Sequence, residues 1–508
     1  MKSKKIITFE NAVSLVAKLK KQNKKVVLCH GVFDLLHIGH IKHFQEAKKF
    51  GDVLIVSLTD DKYVNKGSNR PAFNISLREE ALAAISKIDY VFKNKWPTAI
   101  QTIKFIRPNI YCKGPDYKSF KKDITEMIKK ENEAIKSVKG KIKFTKSITF
   151  SSSKLLYQFS NIFTEEQKKF LNKVNKVYDF NKLKSNIEKF KKIKVLIIGE
   201  TIIDEYAFCE ALGKSGKESV LVLRNLRNEK YIGGAAAVAA HLSDFCSSVT
   251  LLTMLGEKSS NKDFILKNLP KNIKLEYINK DESPTILKKR YVDHVNNNKV
   301  LGVYELNDMQ LNSNNEKQFE KKIIKLIPKH DLVIVSDYGH GFINKKIANK
   351  ITSLSSSIAL NAQINSSNVG HHSIAKYNKI GCVIINIDEL RHELRDKDKN
   401  IKYLMKDLSK SRKIENLIVT QGNKGALLYN SKKDSFFNCP AFANKVVDKI
   451  GSGDAFLALA SLSIHDNYDE LLSLYLGSLA ACQSVESIGN SQKVNKNLVL
   501  KAIKHSIL

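Results

Sequence analysis

The sequence lacks three features that would place it in a specialised class of protein. No uninterrupted apolar run reaches the roughly 18 residues that a transmembrane helix requires. No apolar core follows the basic start of the chain, so no signal peptide is predicted. The seven cysteines form no C-x-x-C pair, and their odd, scattered number argues against a disulfide framework. We therefore expect a cytoplasmic protein in a reducing compartment, without membrane insertion.

Arginine-rich and aromatic-interleaved basic stretches are also missing, although the chain is strongly basic. Lysine and arginine total 85 against 51 acidic residues, which gives a formal net charge of +34. The lysines are scattered through every segment, a pattern typical of a solvated surface. We expect no specific nucleic-acid partner, and the positive potential would attract nucleotides and sugar phosphates. The competing hypothesis of a nucleic-acid-binding protein is based on charge alone.

The length of 508 residues exceeds one ordinary domain, and the apolar runs suggest two α/β segments. In the first segment short buried runs alternate with helical stretches, which is typical of a parallel sheet. These runs lie at residues 25–29, 53–57, 90–92 and 109–111.

The same alternation resumes after a stretch of charged, helical character. Residues 160–192 keep apolar residues at helical spacing, so we predict a helical linker there. We predict one α/β domain over 1–159 and a second α/β domain over 193–508. Segments around Leu221–Leu226 and Lys288–Tyr304 alternate like exposed strands.

The segment Gly31–His40 combines a glycine turn, two histidines and a predicted helix start directly after the first apolar run. His37 and His40 are three residues apart and share one helix face. Gly39 lies between them and lets an anion approach the N–H groups of the helix N-terminus. Two imidazole donors beside such N–H groups predict a site that acts on a nucleotide phosphate.

These residues resemble the signature of the nucleotidyltransferase superfamily, and G-x-F-D-x-x-H-x-G-H resembles its cytidylyltransferase-like branch. Asn69–Arg78, Tyr111–Tyr117 and Phe150–Lys154 fit further motifs of that branch in order. The resemblance implies a Rossmann-like domain that transfers a nucleotide from ATP or CTP to a phosphorylated sugar or alcohol. It assigns catalysis to His37 and His40. It implies nucleotide or phosphate contacts for Gly31, Phe33, Asp34, Gly39, Arg78, Lys113, Asp116, Ser151, Ser152 and Ser153.

The chemistry of this first site requires donors and cations, and it requires no base. A phosphorylated substrate is already ionised at neutral pH, so the barrier lies in joining two anions and stabilising charge on the α-phosphate. His37, His40, Lys113 and Arg78 are residue types that do so. Mg²⁺ is the expected cofactor, because it neutralises phosphate oxygens with few protein ligands.

A second glycine turn, Gly451-Ser452-Gly453, is followed by Asp454 and an apolar helix pattern. The two glycines free the backbone to surround an anion at the helix start. A sugar hydroxyl has a high pKa and must lose its proton as it attacks a γ-phosphate, and a positioned carboxylate can accept that proton. Asp454 is therefore the predicted general base of a second, different site.

This turn resembles the D-x-x-G-[AS]-G-D-x-F signature of the ribokinase-like, PfkB-type carbohydrate kinases, and residues 193–490 carry other motifs of that family in order. The resemblance associates Asn386 and Glu389 indirectly with Mg²⁺. It implies that the exposed-type strands form a β lid over the sugar and a homodimer interface. It implies substrate contacts for Asp204, Gly233, Gly234 and Asp337, and nucleotide or phosphate contacts for Thr420, Gly422, Gly451, Ser452 and Gly453.

Two segments depart from the pattern of these kinases. Where the family usually has an asparagine three residues after the Gly233–Gly234 pair, this sequence has Ala237, which removes an amide that could contact a sugar hydroxyl. Residues 361–368 are dense in amides where related kinases have an Asp-Pro-Lys type turn. These amides could contact the hydroxyls of a ligand or belong to a solvated loop, and the sequence leaves both open.

Together the two halves resemble the family of bifunctional ADP-heptose synthases, with the domain order reversed. We predict a transferase that acts as a sugar (phosphate) kinase and as a sugar-phosphate nucleotidyltransferase, and makes a heptose-like activated sugar. The alternative is a CTP-dependent polyol-phosphate cytidylyltransferase with a regulatory or inactive kinase-like domain, which Ala237 motivates. The first hypothesis requires Asp454 for turnover, whereas the alternative does not.

Overall fold

The computed structural model describes residues 3–64, 71–115, 127–146, 163–258, 260–443 and 445–506. Asp116, Ser151, Ser152 and Ser153, which were predicted to contact phosphate, lie outside the described residues. The chain divides into two compact units, Met1–Thr164 with Leu500–Leu508, and Glu165–Val499. Within the described ranges, no helix has the length and apolar character to cross a membrane.

The first unit is built on a parallel five-stranded sheet with the order β3-β2-β1-β4-β5. Its strands are β1 Val26–Gly31, β2 Val53–Leu58, β3 Tyr90–Lys93, β4 Ile110–Lys113 and β5 Lys141–Phe144. Its helices are α1 Phe9–Lys21, α2 Ile38–Lys48, α3 Ile75–Ala83, α4 Ala99–Ile106 and α5 Met127–Ser137. The strand order reverses between β1 and β4, and in open α/β sheets ligands bind at the carboxyl ends beside such a switch point.

The central position of β1 follows from its composition. Val26, Val27, Leu28 and Cys29 are fully buried, as expected for a parallel strand with both faces covered. Helix α2 follows β1 closely, and its N-cap His37 accepts a hydrogen bond from the backbone. The strand and the cap together place the histidine pair at the carboxyl edge of the sheet.

The second unit contains a nine-stranded sheet with the order β10-β9-β6-β13-β14-β15-β16-β17-β18. The strands from β10 to β16 are parallel, and β17 and β18 are antiparallel. They are β6 Lys194–Gly199, β9 Ser248–Lys258, β10 Ile273–Pro284, β13 Leu332–Asp337, β14 Ile358–Ala362, β15 Cys382–Asn386, β16 Asn416–Thr420, β17 Ala426–Asn430 and β18 Ser435–Cys439.

A separate four-stranded sheet of the second unit has the order β12-β11-β7-β8. It consists of β7 Thr201–Lys214, β8 Leu221–Gly234, β11 Leu287–Asp293 and β12 Lys299–Glu305. All of β12 and most of β8 are exposed, as their alternating sequence predicted. We call these four strands the lid sheet. The predicted fold class, two α/β domains with a small β lid on the second, is confirmed.

Helices connect these strands and cover the large sheet. In the second unit they are α6 Glu165–Val177, α7 Phe180–Lys189, α8 Ala235–Leu242, α9 Lys262–Asn268, α10 Ser313–Leu326, α11 Lys345–Leu354, α12 Ile387–Leu394, α13 Ile401–Arg412, α14 Ser452–His465 and α15 Glu470–Val485, and α16 Lys496–Ser506 follows.

The predicted linker segment contains α6 and α7. Phe170 of α6 packs on the rings of Phe442 and Tyr475, each 6.0 Å away between centroids. The hydroxyl of Tyr178, between the helices, donates to the carboxylate of Asp469 at 2.7 Å. These helices therefore form part of the second unit. The exact domain boundaries drawn from the sequence stay predictions.

Candidate active sites

The two histidines of the first site lie together at the N-terminus of α2. The ring centroids of His37 and His40 are 4.0 Å apart, with the planes 31° from parallel. Nδ1 of His37 accepts a hydrogen bond from the backbone N–H of Gly39 at 3.1 Å, and partial burial lowers the pKa of the ring. A neutral ring that accepts at Nδ1 carries its proton on Nε2, where it can donate to an anion.

Phe33 supports this pair from the loop after β1. Its φ of 45° lies in the left-handed region, which is unfavourable for a residue with a side chain. The ring meets His40 edge-on at 5.5 Å and Phe44 at 5.0 Å. It also lies 3.0 Å from the place that a Cβ on Gly31 would occupy, so a larger residue there would displace the ring. Gly31 and Phe33 thus position His40, and their contact with a nucleotide stays a prediction.

Arg78, which the sequence predicted as a phosphate-binding cation, is held by the surrounding backbone, and its contact with a phosphate stays a prediction. The residue is 1% exposed. Its guanidinium donates to the backbone carbonyls of Phe73, Val32 and Thr59 and to the carboxylate of Asp61. These bonds use four of the five N–H donors of the group. Arg78 therefore fastens three chain segments around the site, and its burial leaves little of the guanidinium for a ligand.

Asp34 also holds backbone. Its carboxylate is 4% exposed and accepts hydrogen bonds from the N–H groups of Ala72 at 2.9 Å and Phe73 at 3.0 Å. These two residues lead into α3, which carries Arg78. The aspartate of the motif thus ties the first histidine loop to the next loop of the site, and its contact with a nucleotide stays a prediction.

Lys113 ends β4, across the switch point from β1. Its Nζ lies 3.0 Å from the carboxylate of Glu131, and the two side chains are 12% and 6% exposed. Glu131 also accepts a hydrogen bond from the hydroxyl of Tyr111 at 3.0 Å. Because Lys113 is paired, it adds less positive potential than the cation that the sequence predicted.

The predicted base of the second site lies in the first turn of α14. Gly451 caps this helix with a φ of 85°, and a Cβ there would lie 2.1 Å from Oδ1 of Asn490, so only glycine fits. Oδ1 of Asp454 accepts a hydrogen bond from the hydroxyl of Tyr338 at 2.6 Å. Burial raises the pKa of Asp454 to about 7, and the negative charge of Asp204 adds to the rise. Asp454 therefore has the basicity that a general base needs near neutral pH.

The lid sheet brings an acid and two cations toward this carboxylate. Asp204 of β7 is 4% exposed and forms an ion pair with Arg290 of β11. A Cβ on Gly233 would lie 2.2 Å from Oδ2 of Asp204, so glycine is needed beside it. Lys288 is also buried, and desolvation lowers its pKa to about 8.

Lys288 and Arg290 were missed as site residues in the sequence. The sequence contained a signal for them. Residues two apart in a strand share one face, and this segment was already predicted as a strand of the lid. Lys288 interacts electrostatically with Asp204 and Asp454, and Arg290 pairs with Asp204, which itself affects the pKa of the predicted base.

Asp337, which the resemblance assigned to substrate binding, is held by partners within the fold, and its contact with a substrate stays a prediction. Its side chain is fully buried. Oδ2 lies 2.7 Å from Nζ of Lys376 and accepts a hydrogen bond from the hydroxyl of Tyr377 at 2.6 Å, and Oδ1 accepts one from the N–H of Gly339 at 3.1 Å. The next residue in the chain, Tyr338, is the one that contacts Asp454.

Comparison with known proteins assigns each half of the chain to a family. The family model for the pfkB family carbohydrate kinase matches residues 192–497, which is more than half of the chain. The chain belongs to the pfkB family of carbohydrate kinases. A second model, described as cytidylyltransferase-like, matches residues 28–169. Both models describe transferase families, so the predicted class of enzyme is confirmed at this level, as are the two predicted resemblances.

Curated relatives and solved structures agree with these families. The bifunctional protein HldE of Aliarcobacter butzleri is 41% identical over 139 residues, 27% of this chain and 29% of that protein. HldE of Sulfurimonas denitrificans is 43% identical over 111 residues, 22% and 23% of the two chains. The matches thus span less than a third of these relatives. Phosphofructokinase-2 from Escherichia coli in complex with potassium has a TM-score of 0.50 at 12% identity, covering 61% of this chain and 99% of that one, which supports the fold alone.

In the pfkB unit the amide-dense segment has a structural use. The side-chain amide of Asn365 donates to the carbonyl of Tyr338 at 2.9 Å, and that of Asn368 donates to the same carbonyl at 2.8 Å. Asn361 donates to the carbonyl of Ile384 at 2.8 Å. Asn365 and Asn368 thus hold the backbone of Tyr338, which in turn contacts Asp454.

The predicted Mg²⁺-associated pair forms a capping box at the start of α12. The side chain of Asn386 accepts from the N–H of Glu389 at 2.8 Å, and the carboxylate of Glu389 accepts from the N–H of Asn386 at 2.7 Å. Burial raises the pKa of Glu389 to about 7, and Asp388 and Asp454 add to the rise. The charge of the predicted base, Asp454, thus contributes to the pKa of Glu389.

The predicted nucleotide loop begins beside this capping box. Thr420 ends β16 and is the register partner of Asn386 on β15. Gly422, with a φ of 58°, opens the turn toward β17. In this way the fold brings Thr420 and Gly422 to the same sheet edge as the Asn386–Glu389 pair, and their contact with a nucleotide stays a prediction.

The substituted position Ala237 is buried in α8 at 1% exposure. It lines a cavity of about 170 Å³ together with Tyr231, Ile232 and Asn490. Gly234, three residues earlier, caps the same helix with a φ of 60°. The asparagine side chain that the family usually has at this position is therefore replaced by a methyl group beside a cavity of the pfkB unit.

Proposed function

We propose that this chain catalyses two transfers, phosphorylation of a sugar or sugar phosphate by ATP and attachment of a nucleotide to a sugar phosphate. The product is a nucleotide-activated sugar, heptose-like by resemblance, with ADP-heptose as the leading candidate. The observation that supports this most is the half-buried Asp454 carboxylate, whose pKa is raised to about 7 by burial at a glycine-rich helix N-terminus.

In the proposed kinase reaction Asp454 accepts the proton of the attacking sugar hydroxyl. A bond forms between that oxygen and the γ-phosphorus, and the bond from the γ-phosphorus to the bridging oxygen of ADP breaks. The backbone of Gly451, Ser452 and Gly453 lies at the start of α14, where N–H groups and the helix dipole stabilise phosphate charge. Lys288 and Arg290 of the lid sheet would bind the sugar substrate or its phosphate.

The acid groups near Asp454 suit Mg²⁺, an ion that prefers oxygen ligands and keeps several of its waters. Both carboxylate oxygens of Glu389 accept backbone hydrogen bonds, so Asn386 and Glu389 would hold Mg²⁺ through water. When bound, Mg²⁺ would neutralise phosphate charge. Its presence would also lower the pKa of Glu389 and Asp454, because a nearby cation favours the charged form of an acid.

In the proposed nucleotidyl transfer, Nε2–H of His37 and the ring of His40 stabilise charge on the α-phosphate of the nucleotide. The substrate phosphate attacks the α-phosphorus, and pyrophosphate leaves. No protein base is required, because the nucleophile is already ionised. Gly31, Phe33 and Arg78 position this pair, and Lys113 adds a paired cation beside it.

A homodimer through the lid sheet would cover some of its exposed apolar residues. Large apolar residues of this sheet are more than a third exposed, namely Leu221, Val222, Leu226, Val300, Leu301, Val303 and Tyr304. Exposed apolar patches of this kind mark interaction surfaces.

We place the protein in the cytoplasm, since the cysteines of the described residues form no disulfide, as expected in a reducing compartment.

The experiment that tests this function incubates the full chain with Mg²⁺, ATP or CTP, and a panel of sugars, sugar phosphates and polyol phosphates. Mass spectrometry identifies the products. We expect an ATP-dependent phosphorylated sugar and, from a sugar phosphate, a nucleotide sugar. A CTP-dependent polyol product without any phosphorylated sugar would refute the proposal and support the alternative of an inactive kinase-like domain.

A further inference from the structure

We propose that Cys29, Cys112 and His43 form a binding site for a thiophilic divalent cation such as Zn²⁺. Each of the three residues offers one ligand atom, and these atoms all lie within 4.8 Å of one another. No other group of three histidine, cysteine or acidic residues in the described parts of the chain meets that distance criterion. The inference is independent of the proposed function.

The fold of the first unit creates this cluster from residues far apart in sequence. Cys29 on β1 and Cys112 on β4 are register partners in neighbouring parallel strands, so their side chains project from the same face of the sheet. His43 belongs to α2 and lies over that face. Nδ1 of His43 is 3.0 Å from Oγ1 of Thr145, and a metal-binding histidine is commonly oriented by such a bond.

The donor set suits Zn²⁺ in type and in distance. Sulfur and imidazole nitrogen are its preferred ligands, at about 2.3 Å and 2.0–2.1 Å, so ligand atoms around it lie about 3.5–3.8 Å apart. The three atoms need to approach by about 1 Å at most, which side-chain rotation supplies. As each sulfur binds the ion its proton leaves to solvent, and two thiolates cancel the charge of the ion. The loaded site is therefore neutral, which a largely apolar surrounding tolerates.

Cys29 and Cys112 also pack in the apolar core of the first unit, but packing does not require a histidine beside them. Buried cysteines usually behave as small apolar residues, and that account suffices for Cys209, Cys246, Cys382 and Cys439, which are also buried and free. The first pair differs because its thiols face each other and a histidine. Since His43 is half-buried, a water molecule can supply the fourth ligand from its side.

The site also has a consequence for the helix that carries the histidine pair. His43 follows His40 by three residues on α2, about one turn further along. A bound ion would join α2 to β1 and β4, the strands that border the switch point. We therefore expect metal binding to raise the thermal stability of the protein as well as to occupy the site.

The test uses the reduced, chelator-treated full chain and follows Co²⁺ binding by absorption, with Zn²⁺ as competitor. We expect one equivalent per chain, a thiolate-to-cobalt charge-transfer band, and loss of that band on addition of Zn²⁺. Cys112→Ser and His43→Gln should weaken binding about 100-fold or more, and Thr145→Val by about 10- to 100-fold. Cys382→Ser, a buried strand cysteine of the second unit, is the matched control and should bind as the unmodified chain does.

Two results would overturn the proposal. One is Co²⁺ binding without the thiolate band, as would occur if the His37–His40 pair held the ion instead. The other is unchanged binding in folded Cys112→Ser and His43→Gln. If a variant fails to fold, the spectrum of the unmodified chain still tests the proposal. Absence of the thiolate-to-cobalt band at one equivalent of Co²⁺ contradicts the site.

Discussion

Replacing Asp454 by asparagine separates its chemistry from its effect on stability. The change keeps the size of the side chain and the contact with Tyr338, but it removes the proton acceptor. General-base catalysis contributes about 10²- to 10⁴-fold to rate, equivalent to about 3–5 kcal/mol of transition-state stabilisation. We expect sugar phosphorylation to fall by that factor and nucleotidyl transfer to remain.

The same variant should lose activity but gain stability relative to the unmodified chain at high pH. Burial raises the pKa of Asp454 to about 7, about three above its ordinary value. The folded protein then holds a proton that the unfolded chain releases, so stability falls as pH rises from about 4 to 7. Deprotonation of Asp454 lowers the free energy of unfolding by at most about 4 kcal/mol above pH 7, and by less because the group is partly exposed. Asp454→Asn should therefore melt at a higher temperature than the unmodified chain at pH 8, and at a similar temperature at pH 4.

The assay measures kcat/KM for sugar phosphorylation against pH, together with thermal melting. For the unmodified chain kcat/KM should rise with pH and level off near the pKa of Asp454, or below it where Mg²⁺ lowers that pKa. Asp388→Asn is the matched control, since Asp388 is an exposed acid of α12 that adds to the pKa of Glu389. Unchanged phosphorylation by folded Asp454→Asn would refute the assignment of the base.

Other predictions concern the framework and the first site. His40→Ala should reduce nucleotidyl transfer by about 10²-fold or more without changing sugar phosphorylation, and equal loss of both activities would contradict separate sites. Arg78→Lys should lower the free energy of unfolding of the first unit by about 2–4 kcal/mol, because a lysine cannot reach the four acceptors that the guanidinium bonds; denaturant titration measures this, and an unchanged midpoint would contradict the framework role. Lys376→Met should cost about 3–5 kcal/mol by leaving the buried Asp337 carboxylate without its cation, and the double variant with Asp337→Asn should recover part of that loss. An additive loss in the double variant would show that the pair does not interact.

The sequence predicted the architecture well because hydrophobic periodicity carries that information. The buried runs at 53–57, 90–92 and 109–111 became β2, β3 and β4, and the alternating Lys288–Tyr304 segment became two strands of the lid sheet. The motifs also placed His37 and Asp454 at helix N-termini, where an anion site requires them.

The individual roles of charged residues were harder to predict, because a motif gives the residue type and not its partner. Arg78 and Asp337 are charged residues of motifs, yet the fold buries them against acceptors and a lysine that are distant in sequence. The amides of residues 361–368 were expected to contact either a ligand or solvent, and three of them hold backbone carbonyls instead. The cysteine and histidine cluster was invisible for the same reason, since its members meet only when β1 and β4 pair.

The central claim is that the two units carry two separate phosphate chemistries, and double labelling of ATP tests it directly. The full chain is incubated with Mg²⁺, a sugar phosphate, and ATP that carries one label on the γ-phosphate and another on the α-phosphate. We expect the γ-label in a phosphorylated sugar and the α-label in a nucleotide sugar, with His40→Ala removing only the second and Asp454→Asn removing the γ-label transfer. If one label never reaches a sugar, or if either single variant abolishes the transfer of both labels from substrates supplied separately to each reaction, the account is contradicted.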